Sequence, residues 1–401
     1  MLSTEKIIEI ANQYGTPIYI LDKEHLGKRI HDIQTILGND ITLCYAMKAN
    51  PFLVDAFKSL NTKYEVCSPG EFAICEREKV NMQDVVLSGV NKEEKDICHV
   101  MDDCGGVGVY TVESVEQYRL LSDCAATREL KINVLLRVTS GNQFGLDESD
   151  IEMIIKNRES HPYINILGLQ CYTGTQKKKF DIIKNEIEWL DALCDRLYEE
   201  YGFKAEELEY GPGLPVAYFG DAAYENNYDM LKELAELLTS YKEKYHITLE
   251  MGRYLAADCG VYVTGVADIK TNKGQQYIIV DGGINHVNYY GQTMAMKIPA
   301  YSYVKADGTI VRDKNISDLE FYNLARKIKE VTDKFKIPLI INDRIDVALA
   351  VEAAGVHVGQ SDLPAEVVRK IINKDMILGV SVTDINEACL LYTSDAADDK
   401  A

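Results

Sequence analysis

No uninterrupted apolar run in this chain approaches the roughly 20 residues that a membrane-spanning helix needs. The opening, MLSTEKIIEIANQYG, lacks the basic stretch and apolar core of a secretory signal, so export is not expected. Pairs of the CxxC type are absent, and the ten cysteines are scattered without a Cys/His cluster. That distribution predicts neither a zinc site nor a disulfide framework, and reduced thiols in a cytoplasmic protein are the expectation. Positive charge is also short: 43 Lys and Arg face 63 Asp and Glu, a formal net charge of −20. Such a surface gives no electrostatic footing for nucleic acid or an anionic membrane, and it serves solubility equally well.

What is present suits a large soluble enzyme. The 401 residues are 46% hydrophobic, enough for one large barrel with an appendage or for two domains. Short β-branched runs predict strands at 41–47, 64–67, 84–88, 107–110, 132–138, 164–170, 207–211 and 246–250, and helical spacing marks stretches such as 177–202 and 224–244. Eight strands separated by helices predict an α/β fold, a (β/α)8 TIM-type barrel. The alternative, an open doubly wound sheet, lacks a GxGxxG after its first strand. Near residue 260 the rhythm changes to the strand-like runs VYVTGVADIK and QQYIIVDGGI, the start of an incomplete β-domain. From about Arg312 a partial α/β pattern begins: helix 318–335, strand 338–341, helix 344–353, and strands at 355–358 and 376–382.

In such a barrel the chemistry belongs at the C-terminal ends of the strands. There stand Lys48 in CYAMKANP, Ser68 and Gly70, Arg137, Tyr172 with Gly174 and Thr175, Gly211 and Gly213 in EYGPGLP, and Glu250, Gly252 and Arg253 in LEMGRYL. A lysine in a partly desolvated mouth is expected to lose ammonium character and act as a Schiff-base nucleophile. Glycines there let backbone N–H groups approach a phosphate. A carboxylate such as Glu250 can keep a pyridine nitrogen protonated. Taken singly, each has a plainer explanation: a surface lysine, a turn, an ion pair, a packed tyrosine. Joint placement at successive strand ends is what argues for a site.

The ordered motifs YGTPIYILD, YAMKANP, EVCSPGEF, FGLD, EYGPGLP, EMGR and VDGGINH resemble the diaminopimelate/ornithine decarboxylase family over roughly residues 10–305. The resemblance implies pyridoxal 5′-phosphate as cofactor, joined to Lys48, and decarboxylation of a basic or diamino amino acid by a homodimer. It further implies that Gly211 and Gly213 cradle the phosphate, that Glu250 pairs with the pyridine nitrogen, and that Gly252 and Arg253 lie near the phosphate or the substrate carboxylate. Arg137 and Tyr172 complete the cofactor contacts. A racemase on the same barrel is the nearest rival, but racemases of this type place an arginine where Glu250 stands. Two departures are visible. Tyr172, in QCYTGT, replaces the family's ring-stacking histidine, and Met251 replaces a proline. A third is larger: the Cys-Asp and Tyr motifs of the family's C-terminal β-domain, which reach across the dimer, do not follow.

Instead, RDKNISDLEF, IPLIINDRIDVALA, GVHVGQSDLP and ILGVSV resemble consecutive motifs of thiamine-phosphate synthase over roughly 311–388. That likeness implies diphosphate binding by Arg312, Lys314, Asn342 and Ser381, with Mg2+ held by Asp343 and Asp362, a hard-oxygen site suited to that ion. The expected organisation is therefore a pyridoxal-phosphate barrel over 1–260, a β-domain start over 261–308, a synthase-like segment over 309–388 and a disordered tail over 389–401. The readings in play are a decarboxylase, a synthase, and a cofactor-binding chimera of two incomplete enzymes.

Overall fold

The computed structural model describes residues 2–217, 228–287, 301–304, 310–311, 318–334, 337–342, 344–358 and 363–380. The chain forms two units, Met1–Ala300 and Tyr301–Ala401.

The first unit begins with helix Thr4–Tyr14, the short strand β1 (Ile18–Leu21) and helix Lys23–Leu37. Then come β2 (Ile41–Ala46), β3 (Lys63–Val66), β4 (Val85–Leu87), β5 (Val109–Val112), β6 (Ile132–Arg137), β7 (Ile164–Tyr172), β8 (Glu207–Gly211) and β9 (His246–Met251). These eight form a closed parallel barrel, with β9 returning to β2 in the register Ile41↔Ile247 through Tyr45↔Met251. The strand expected at 107–110 starts two residues later, because the Gly108 N–H is spent on the Met82 carbonyl at 2.9 Å, outside the ladder. The helix expected at 177–202 runs Phe180–Tyr201. The one expected at 224–244 is Asp229–Leu238, its first residues lying outside the described ones.

Local signals explain where these helices start and stop. Ser68 and Ser114 each accept a backbone N–H three residues on, capping helices Pro69–Arg77 and Val115–Thr127. Gly105 ends helix Glu94–Cys104 in the left-handed region at φ 70°. The apolar stripes of the helices and the outer faces of the strands make one large core that includes Leu26, Ile33, Phe57, Leu121 and Leu193. Inside the barrel, Cys44, Val86, Val109 and Leu135 form a small apolar cluster, packed by Leu167. The rest of the lumen is polar, with Lys63 Nζ 3.2 Å from Glu207 Oε1 and the Thr248 hydroxyl donating to that oxygen at 2.9 Å.

Beyond the barrel, strand β10 (Gly260–Val263) pairs antiparallel with β1. Thr16 and Thr264 both donate to the Asp281 carboxylate, at 2.5 and 2.7 Å. The N-terminal strand thus joins the segment that follows the barrel, a pairing the sequence did not reveal. The next hairpin, Val266–Asn272 with Gln275–Val280, is exposed along its whole length.

The second unit has a parallel sheet, Ile340–Asn342, Gly355–Val358 and Ile377–Val380, with helices Asp318–Lys334, Ile345–Ala350 and Ala365–Ile371. Ile341, Ala348, Val356 and Val368 anchor its small core. Among the described residues this sheet has three strands.

Candidate active site

Lys48 sits in a single turn, Met47–Ala49, that closes β2. The turn is built from its neighbours. Tyr45 stacks on Phe57 at 4.0 Å and its hydroxyl donates to the Asn50 carbonyl at 2.9 Å, while the Asn50 side chain caps the next turn at Pro51. Met47 is fully buried, so the lysine beside it is turned to the mouth.

The Lys48 ammonium bridges two buried carboxylates. It lies 2.9 Å from Glu65 Oε2 and 2.9 Å from Glu250 Oε1, with a side chain that is 40% exposed. Glu250 accepts a second contact on its other oxygen, from Gln170 Nε2 at 3.0 Å. The Cys67 thiol donates to Glu65 Oε1 at 3.0 Å. The electrostatics correct one expectation. Burial works to lower the Lys48 pKa, but Glu250 and Glu65 together outweigh it and hold it above the ordinary lysine value. Lys48 keeps its ammonium character here because two acids face it, and only a change at those acids would release it. Burial works to raise the Glu250 pKa, but Lys48 and its hydrogen bonds outweigh it and hold Glu250 below the usual carboxylate value. Burial and the neighbouring Glu250 push Glu65 up.

The other expected residues converge on the same rim. Tyr172 ends β7 with its ring centre 5.1 Å from Lys48 Nζ. Gly211 ends β8, where a Cβ would come within 2.5 Å of the Tyr172 ring, and a Cβ on Gly213 (φ +61°) would collide with the Gly174 carbonyl. At Gly252 a Cβ would stand 2.7 Å from that of Ala49. These three positions admit glycine alone, leaving a close-walled backbone cradle. Gln176 locks two of its loops, donating to the Val216 carbonyl at 3.0 Å and accepting the Val216 N–H at 2.7 Å. Arg253 is exposed at the start of helix Arg253–Ala256. Arg137 is buried at the end of β6, 3.1 Å from Glu113 Oε2 and 5.0 Å from the Phe144 ring centre.

In the second unit Asn342 closes its strand, while Arg312, Lys314, Asp343, Asp362 and Ser381 lie outside the described residues, as does the tail over 389–401.

Sequence reasoning missed Glu65, Gln170, Glu113 and Lys92. Lys92, in the loop after β4, donates to the Gly89 carbonyl at 2.8 Å and to Gln117 Oε1 at 3.3 Å, and burial brings its pKa down to about 8. A signal for the acids was available. A charged residue inside a strand that is buried on both faces, as Glu65 is in KYEV and Glu209 in ELEYG, breaks the apolar run that a parallel barrel strand otherwise shows.

Glu209 lies deeper in the lumen, with both carboxyl oxygens buried and without a hydrogen-bond partner among the described residues. Burial first, then the carboxylates of Glu250 and Glu207, raise its pKa well above the ordinary 4.5. The folded chain therefore holds this proton more tightly than the unfolded one. The resulting stabilisation is full below the unfolded value and fades as pH rises through the folded value. Glu209→Gln keeps the shape and cannot ionise. It is expected to match the parent's thermal midpoint near pH 4 and to exceed it near pH 8. Parallel pH profiles for the two proteins would rule Glu209 out as the source.

The comparisons with known proteins divide between residues 257 and 277, before the first unit ends. A family model described as pyridoxal-dependent decarboxylase, pyridoxal binding domain, matches residues 23–257, and one described as thiamine monophosphate synthase matches residues 277–398. The L-glutamyl-(BtrI acyl-carrier protein) decarboxylase of Niallia circulans is 26% identical over 325 residues, covering 74% of this chain and 74% of that protein. The solved diaminopimelate decarboxylase of M. jannaschii is 25% identical with a TM-score of 0.64, covering 75% of each chain. Thiamine-phosphate synthase of Clostridium beijerinckii is 65% identical over 78 residues, which is 20% of this chain and 37% of that enzyme. The chain thus spans well under half the length of that synthase.

Proposed function

The chain belongs to the pyridoxal-dependent decarboxylase family through its barrel, and from that premise we propose that it binds pyridoxal 5′-phosphate covalently at Lys48 and decarboxylates a basic or diamino amino acid. One observation carries the reading: the Lys48 amine stands between two buried carboxylates, beneath an aromatic ring and beside a glycine-walled cradle. The donor set fits the cofactor. Buried Glu113 Oε1 and Gln170 Oε1 on the same rim have no partner among the described residues, which is what a site built around a ligand leaves behind.

In this reading Lys48 would anchor the cofactor, and Tyr172, beside the Lys48 amine, would offer its ring for stacking. Backbone N–H groups at Gly211, Gly213 and Gly252, with Arg253, receive the phosphate. When bound, the cofactor supplies an electron sink for the bond between Cα and the carboxylate. Glu250, held charged by Lys48 and by its hydrogen bonds, would hold a proton on the ring nitrogen. Glu65 steadies the lysine, and the Arg137–Glu113 pair fixes the rim opposite a negatively charged substrate group. The acid at Glu250 favours loss of carbon dioxide over racemisation.

The substrate class is part of the proposal, as are a cytoplasmic location and assembly as a homodimer. Among the described residues no helix is long and apolar enough to cross a membrane. The second unit is read as a synthase-like piece, with three parallel strands in its sheet among the described residues.

Product analysis tests the reaction class. The protein loaded with pyridoxal phosphate is given lysine, ornithine, arginine and diaminopimelate in both enantiomers. Amine and carbon dioxide are expected. Accumulation of the opposite enantiomer without carbon dioxide would make the barrel a racemase. Magnesium-dependent release of diphosphate from the thiamine precursors would restore the synthase reading.

A further inference from the structure

The scattered cysteines predicted no metal site, yet the fold brings one together on the outer wall of the barrel. Glu76 lies in the last turn of helix Pro69–Arg77, and His99 and Cys104 lie on helix Glu94–Cys104. One ligand atom from each of the three falls within 4.8 Å of the other two. His99 Nε2 is 2.8 Å from Glu76 Oε1, and Cys104 Sγ is 3.5 Å from that same oxygen. The second imidazole nitrogen, Nδ1, is 2.6 Å from Asp103 Oδ2. Phe72 meets the ring edge-on at 6.1 Å.

We infer that Glu76, His99 and Cys104 bind one divalent cation of borderline softness, Zn2+ or its analogue Co2+, with water completing the coordination. The donor set is one that zinc takes, and its bond lengths set the spacing. A tetrahedral zinc holds a thiolate sulfur and a carboxylate oxygen about 3.5 Å apart, and an imidazole nitrogen and a carboxylate oxygen about 3.3 Å apart. The Cys104–Glu76 separation already has the first value. The His99–Glu76 contact needs to open by about 0.5 Å, within reach of a half-exposed side chain at a helix end. Asp103 supplies the outer carboxylate that fixes the tautomer and direction of a metal-bound imidazole. An ion-pair network accounts for an imidazole held between Glu76 and Asp103, but gives no reason for a thiol on the same carboxylate oxygen. A second cluster, His25 with Asp258 and Cys259, differs in one respect: Arg29 Nη1 lies 3.3 Å from Asp258 Oδ2, so a cation is already there.

Placement gives the site its role. Both helices start at the mouth and run back along the barrel, so Glu76 and Cys104 lie toward the face away from Lys48. That face serves stability rather than chemistry. The cation is a clip between two neighbouring helices, and it is independent of the decarboxylase reading.

The whole chain, freed of metal by a chelator, is titrated with Co2+ alone. The expected result is a thiolate-to-cobalt charge-transfer band that saturates at one equivalent, is displaced by Zn2+, and is absent in Cys104→Ser. His99→Ala and Glu76→Gln should each weaken apparent Co2+ affinity about tenfold or more. Zn2+ should raise the thermal midpoint of the parent by several degrees and leave that of Cys104→Ser unchanged. All three positions are partly exposed, and circular dichroism checks their folding. No band, or a band that survives Cys104→Ser, overturns the assignment.

Discussion

Replacing Lys48 should abolish covalent retention of pyridoxal phosphate and lower turnover by at least about 10²–10⁴-fold, the range for losing a group that carries both attachment and proton transfer. The choice of replacement matters, because Lys48 is also the cation between Glu65 and Glu250. Lys48→Ala leaves two buried carboxylates facing each other, and breaking a buried pair in this way costs about 3–5 kcal/mol. Lys48→Arg keeps the charge and cannot lose a proton in the working range. The arginine variant should therefore fold nearly as stably as the parent while failing equally as a cofactor anchor. Borohydride reduction of the loaded parent, followed by peptide mapping, should place the phosphopyridoxyl group on Lys48. Lys92 is the specific rival, since its amine meets no carboxylate in its hydrogen bonds and burial brings it to about 8. A label on Lys92, or a label retained in Lys48→Arg, would sink the assignment.

The barrel could be read from the sequence because short β-branched and apolar runs alternate with stretches of helical spacing eight times over. The rim residues Lys48, Tyr172 and Glu250 came from their joint placement at successive strand ends, and the ordered motifs then implied their roles. Periodicity alone would have left them as scattered polar residues. Glu65 interrupts one strand and Gln170 another, but nothing local says which group either one would face. Only the closed ladder, with Ala46 opposite Glu65 and Arg137 opposite Gln170, turns them inward. The pairing of β1 with β10 escaped for a related reason. Four residues give little signal, and their partners, such as Val263 for Ile18, are remote in sequence. The Lys48 charge state failed differently: general reasoning about desolvation was right in sign, but it omitted two carboxylates whose positions only the fold supplies.

Decarboxylation by the chain is expected to run about 10²–10⁴ below a complete site, even with the cofactor fully bound. Attachment and activation draw on groups the barrel itself carries: Lys48, Glu65, Gln170 and Glu250 all lie on its strands or on the turn that closes β2. Two later tasks need more, since the substrate side chain must be positioned and a placed acid must return a proton to Cα. In the resembled family those tasks fall to a C-terminal β-domain acting across a dimer. Here the residues from 277 onward match a thiamine monophosphate synthase family instead. The hairpin that leads into that region is exposed along both strands, Ile269 and Ile278 included. On the proposed reading substrate enters and reacts, but no group named among the described residues holds its side chain or returns the proton. Lost positioning alone can cost as much again as the lost acid. The measurement is steady-state release of amine and carbon dioxide at saturating substrate, with cofactor occupancy fixed by absorbance. Full occupancy with slow release is the expected pair. Turnover in the usual range of roughly 1–10³ per second would show that the barrel rim suffices, with the proton donor among the residues already named there.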